Sequence, residues 1–228
     1  AYTISRGTSD SFLRNYFADA GGVSAQYLPG TEKESAEIAK ALGELGCSAS
    51  LFTKDKANEE SFKNLSGSEL RIIHIATHGF FLDDAQRQLS GDNSLLLSGL
   101  LMSGCNNIMK VPSGIDDGIL TAREISYLDF RRTDMVVLSA CETALGEITD
   151  DGVFGLQRGF KKAGANTIIM SLWPVNDYAT RLLMTSFYAA MGRGLNKHDA
   201  FMAAQKELRA HKGVNPSHWA AFIMLDGN

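Results

Sequence analysis

"VVLSACETALGE", residues 136–147, is the stretch on which the reading of this chain turns. With Met135 ahead of it, an apolar run passes through Ser139 and Ala140 to Cys141, then breaks at small and acidic residues. A short β-branched run ended this way reads as a buried strand. Two readings of Cys141 stand open at this point. Free cysteine is among the most buried residue types, so it closes a core strand well. Alternatively, the strand delivers a thiol to a site.

Similar runs lie on both sides of this stretch. Ser50–Phe52, Arg71–Ala76, Met135–Ser139, Asn166–Ser171 and Ala221–Leu225 read as strands, with Tyr2–Ile4 a weaker one. Helical patterns separate them. In "GTEKESAEIAKALGEL", Thr31 reads as an N-cap with Glu34 three residues on, a capping box, and Gly46 as the stop. "VFGLQRGFKKAGA" puts Phe154, Leu156 and Phe160 about one helical face and ends at Gly164. "DYATRLLMTSFYAAMGRG" closes on Gly192 and Gly194, and "NKHDAFMAAQKELRAHKG" stops at Gly213. Such an alternation, with strands apolar on both faces, predicts an α/β fold: a mainly parallel central sheet with helices on both faces. Sites in such sheets form at the carboxyl ends of the strands. Residues 82–120 break the alternation and read as an irregular, loop-rich insertion.

Composition bounds the function classes. The chain has 228 residues, 44% hydrophobic and 21% charged, with a net charge of −4, which suits one globular domain over 1–228. No basic surface points to nucleic acid, and no apolar run approaches the roughly 18–20 residues that span a bilayer. "AYTISRGTSD" has neither the basic nor the apolar region of a signal peptide. It also lacks an initiator Met, so the chain is expected to be part of a longer protein. Cys47, Cys105 and Cys141 are odd in number and scattered, which fits neither a disulfide framework nor a zinc pattern. A reducing, cytoplasmic compartment is the expectation.

The second informative stretch is "RIIHIATHGFF", residues 71–81. As a strand it sets Ile73, Ile75 and Thr77 on one face and Ile72, His74, Ala76 and His78 on the other. His74 and His78 would stand roughly 13 Å apart, too far to share an ion, so no metal is expected. His74 reads as a hydrogen-bonded core histidine; His78 emerges at the carboxyl end, before Gly79. Neighbouring parallel strands ending in Cys141 and His78 would bring thiol and imidazole together, the arrangement in which histidine withdraws the thiol proton and the thiolate attacks a carbonyl. The backbone amides of Cys141 and Gly79 are candidate oxyanion donors. His-Gly followed by Ala-Cys also partly matches the order in the caspase signature, although the Gln and Gly that flank the caspase cysteine are missing.

"IATHGFF", "LSACETALGE", "GLQRGFKKAGANTIIMSLWPVNDYAT" and "HWAAFIML" together resemble the CHAT domain, a caspase-like family of clan CD cysteine peptidases related distantly to separase. "LPGTEKE", "LLLSGLLMSG" and "DGILTAREI" extend the resemblance from about residue 28 to the end. It implies a caspase-hemoglobinase-like three-layer sandwich and puts Cys141 and His78 on the catalytic positions. The family commonly has Gly where this chain has Ala144. Such domains often follow tetratricopeptide repeats, so an upstream repeat region or an activating partner is the implied regulator. The resemblance also implies that the P1 residue of a protein substrate is read most closely. Asp177 and Asp151 are candidate carboxylates for a basic P1 side chain, with Trp173 as an apolar wall. Each aspartate has an alternative role as the cap of the helix it precedes.

No cofactor is expected. "GFKKAGA" has phosphate-loop glycine spacing with Ala at the lysine position. The expected function is therefore a cysteine endopeptidase. The alternative is a catalytically silent interaction module of the same fold that binds a peptide or partner protein, against which the intact His78 and Cys141 argue.

Overall fold

The computed structural model describes residues 9–19, 21–44, 46–82, 94–112, 116–139, 143–145, 150–173 and 175–227. In chain order its elements are α1 (Ser9–Asp19), α2 (Pro29–Glu44), α3 (Glu59–Lys63), β1 (Ile72–Ile75), β2 (His78–Phe81), β3 (Ser98–Leu101), β4 (Ile119–Thr121), α4 (Ala122–Ile125), β5 (Met135–Leu138), β6 (Thr143–Leu145), α5 (Asp150–Lys162), β7 (Thr167–Ser171), α6 (Asp177–Gly192), α7 (Lys197–Ala210), α8 (Pro216–Trp219) and β8 (Phe222–Leu225).

The apolar runs pair as a sheet in the order β1-β5-β7-β8, parallel except for β8. Alternate residues of each strand enter different cores. Met135, Val137 and Ile169 meet Leu183, Phe187 and Phe201 from α6 and α7. Ile73, Val136, Leu138 and Ile168 meet Leu156 and Phe160 of α5. Each face of the sheet is thus covered by helices, the mixed α/β sandwich implied by the alternation. His74 and Ile73 fall on opposite faces of β1, as the strand pattern predicts.

Helix ends follow local chemistry. Asn176 and Asn196 cap α6 and α7, their side chains accepting from the backbone N–H of Ala179 and Asp199. Gly164 ends α5 at φ +99°, with its missing Cβ only 3.1 Å from the backbone of Arg131, a place where glycine avoids both strain and collision.

Several expectations are overturned. Ser50–Phe52 forms no strand; Leu51 and Phe52 are 47% and 46% exposed. A three-residue β-branch-poor run has too little alternation to hold a register. The capping box at Thr31 is absent, because α2 begins at Pro29 and Thr31 lies within it, its hydroxyl donating to the Leu28 carbonyl. Glu34 instead turns inward and is buried. Residues 82–120 are not simply irregular, since they supply β3 and β4 to a second sheet ordered β4-β3-β2-β6. Phe80, Leu97, Leu101 and Ile119 of that sheet region pack with Leu13 and Phe17 of α1, a helix absent from the sequence reading. Tyr2–Ile4 lies outside the described residues.

Candidate functional site

Two chain crossings between the sheets define the site. β1 leaves the first sheet at Ile75, passes Ala76 and Thr77, and resumes as β2 at His78. β5 leaves the same sheet at Leu138, and its chain resumes as β6, parallel to β2. Ile75 is paired with Leu138 before the crossing and Gly79 with Thr143 after it. Both crossings therefore start and finish side by side. His78 is on one; Cys141 falls on the other, between Ser139 and Thr143, and lies outside the described residues. Ala144 has a described backbone in β6 only.

His78 is 8% exposed, and its Nε2 is 2.7 Å from the Gln26 carbonyl. A carbonyl only accepts, so Nε2 carries a proton and donates, and in the neutral ring the lone pair is on Nδ1. The Gln26 segment is itself clipped down. Asn106 accepts from the Ala25 N–H at 2.8 Å and donates to the Ala25 carbonyl at 3.0 Å. Thr77 donates to the Leu101 carbonyl at 2.6 Å, fixing the crossing just ahead of His78. Gly79 is buried within β2, with Leu100 on one side and Thr143 on the other. An open cavity of about 590 Å³ adjoins Thr77 and His78 beside the outer edge of β1, with Phe52, Tyr27 and Met102 in its walls.

A narrow crevice shares Thr77 with that cavity as a lining residue. Asp177 lines it together with Thr77, Ser139, Glu34 and Thr180. The capping alternative for Asp177 fails, because Asn176 caps α6 and Asp177 is its first residue. Its carboxylate lies against Gly30 of α2, where a Cβ would come within 2.1 Å of Oδ2. Trp173 is 36% exposed, donates from Nε1 to the Ser217 carbonyl at 2.7 Å, and lines neither cavity. Asp151 is in the first turn of α5, its side chain outside the described residues.

His74 is the core histidine expected, with Tyr188 and Glu34 on its two nitrogens. Sequence reasoning missed three contributors: Glu34, Asn106 and the Gln26 carbonyl. Only Glu34 leaves a trace in the sequence, an acidic residue four before Ile38 on the buried stripe of α2. Cys105 is buried in an apolar cluster, and burial raises its thiol pKa, which suits packing rather than attack. Among the described residues no group of three metal-ligating side chains occurs, and no helix is long and apolar enough to cross a membrane.

A family model described as the CHAT domain matches residues 8–228. Over 109 residues, 47% of this chain, the chain is 35% identical to tetratricopeptide repeat protein 28 of Mus musculus. Over 108 residues it is 33% identical to tetratricopeptide repeat protein 28 of Homo sapiens. The matched stretch is 4% of the length of each of these relatives.

Proposed function

The chain belongs to the CHAT domain family, a caspase-like, peptidase-related family, and from that premise we propose that it is a cysteine endopeptidase with His78 and Cys141 as its dyad. One observation carries the reading: the register that pairs Ile75 with Leu138 and Gly79 with Thr143. The residues between those pairs include His78 on one strand and Cys141 on the other.

In this mechanism Nδ1 of His78 takes the Cys141 proton, and the thiolate attacks the scissile carbonyl. The amides of Cys141 and Gly79 hold the developing oxyanion. The imidazolium returns its proton to the leaving amine, and water, deprotonated by the same histidine, cleaves the thioester. The Gln26 carbonyl supports this cycle, because it holds one ring nitrogen as a donor and accommodates the imidazolium without rearrangement. Asp177 is the carboxylate for an Arg or Lys side chain at P1, a reading supported by its position in the crevice with Thr77 and Ser139. Asp151 remains a second candidate and Trp173 a wall, with less support from the side chains described. The relatives' name, tetratricopeptide repeat protein, supports regulation by a repeat region or partner, and the scattered, odd-numbered cysteines support a reducing, cytoplasmic setting.

Fluorogenic peptides ending in Arg or Lys test the proposal, with wild type beside Cys141→Ala and His78→Ala. Cleavage by the wild type and loss of at least about 10³-fold in both variants is the expected result. No cleavage and no labelling by an Arg-directed electrophile, with and without a repeat-containing partner, would leave the interaction module as the surviving reading.

A further inference from the structure

Glu34 is a carboxylate in the interior, 3% exposed. A side chain like that of Ile38, one turn away, would occupy such a place without desolvating a charge. What Glu34 adds is a connection between two strands. Its Oε1 lies 3.0 Å from His74 Nε2 on β1, and its Oε2 accepts from Ser139 Oγ at 3.1 Å, one residue past the end of β5. The chain continues from His74 Nδ1 to the hydroxyl of Tyr188 on α6, at 3.1 Å.

Burial and the charge of Glu34 push the Tyr188 hydroxyl well above its ordinary pKa, so it stays protonated. With the His74 ring neutral, that hydroxyl donates to Nδ1, and Nε2 carries the ring proton and donates to Glu34. The Ser139 hydroxyl must donate too, since a carboxylate only accepts. Each of these buried atoms has a partner of the right kind, and a satisfied network in a low-dielectric interior orients its members.

We propose that Glu34 is the positioning residue of the dyad. It holds Ser139, two residues before Cys141, and His74, four before His78, and thereby sets the spacing of the two crossings. The inference rests on the dyad reading above. Loosening the clamp separates thiol from imidazole without touching the substrate, so turnover falls while KM stays nearly constant, and the Cys141 thiol loses its partner and titrates higher.

The test uses the full chain carrying Cys47→Ser, which removes the exposed thiol. Alkylation of Cys141 by iodoacetamide is followed by mass spectrometry from pH 5 to 9.5, with His78→Ala as the dyad control. Glu34→Gln and Ser139→Ala are expected to raise the midpoint of labelling by about 1 pH unit, toward the free-thiol value of about 8.5. They lower kcat by about 10- to 100-fold with KM within about twofold. The double variant is expected to be no worse than Glu34→Gln alone. If both single variants fold yet label as wild type does while His78→Ala still moves the midpoint, the dyad stands and the positioning role falls. If His78→Ala moves nothing either, the dyad itself falls and takes the positioning role with it. Midpoints that move in a protein that cleaves no peptide support the clamp and overturn only the peptidase reading. Should Glu34→Gln fail to fold, Ser139→Ala, which removes one hydroxyl, decides alone.

Discussion

Replacing Glu59 by Gln should change how stability depends on pH. Glu59, on α3, is 2% exposed. Its Oε1 accepts from Lys63 Nζ at 2.8 Å and its Oε2 from the Gly118 N–H at 2.6 Å. Lys63 also reaches Asp116 at 2.8 Å and Glu124 at 3.0 Å. Three carboxylates thus share one ammonium, and the most deeply buried of them is the one driven toward its neutral form. Burial, then the charge of Glu124, pushes the Glu59 carboxyl from an ordinary 4.5 up to about 7, against the pull of Lys63 and Gly118. Between those values the folded chain keeps a proton that the unfolded chain has released. The contribution is therefore fully present below about pH 4.5 and lost as pH rises through 7. At 1.36 kcal/mol per pH unit, the span is about 3 kcal/mol, or about 6 °C in midpoint for a domain of this length. Gln does not titrate, so the wild-type stability minus that of Glu59→Gln should fall by about 2–3 kcal/mol from pH 5 to pH 8. Urea unfolding of both proteins at fixed ionic strength measures it. A difference that is flat, or that rises with pH, would falsify the reasoning, because it would mean that Lys63 outweighs burial and keeps Glu59 ionised.

Two further outcomes are expected. Asp177→Ala should lower kcat/KM for Arg and Lys at P1 by about tenfold, about 1.4 kcal/mol, and leave neutral P1 peptides nearly unchanged; an unaltered preference in a P1 library removes Asp177 from the pocket. Gly159→Ala gains helix propensity of about 1 kcal/mol, yet its Cβ would sit 2.5 Å from the Ala122 carbonyl oxygen, a backbone atom of α4. Overpacking of about 1–3 kcal/mol should prevail, and a higher urea midpoint than wild type would contradict that close packing.

The first sheet was legible because its strands are apolar on both faces, and short runs such as "MVVL" and "TIIM" admit few other burials. The second sheet was not. "SGLL" and "ILT" sit among Asp, Ser and Gly, and their pairing is antiparallel and set by partners far along the chain. Nothing within either segment announces that partner. Helix α1 escaped notice for a related reason: Leu13 and Phe17 are an apolar pair one turn apart, and only the second sheet gives them a surface to cover.

The site divides along the same line. His78 and Cys141 were both legible as residues that end apolar runs, and the family resemblance added weight to pairing them. What aims the histidine was hidden, since the Gln26 acceptor is a backbone carbonyl that any residue would present. Glu34 shows how a correct local rule can mislead. Thr31 and Glu34 have capping-box spacing, but a helix starting two residues earlier at Pro29 turns that spacing into an inward-facing position. The rival for Glu34 was His74, 40 residues away on β1, whose ring needs an acceptor inside the protein. A local cap satisfies one exposed amide that water can satisfy equally well, whereas a buried histidine and serine have no such substitute. The tertiary demand therefore outcompetes the local one, and the acidic residue on the buried stripe of α2 is the mark it leaves in the sequence.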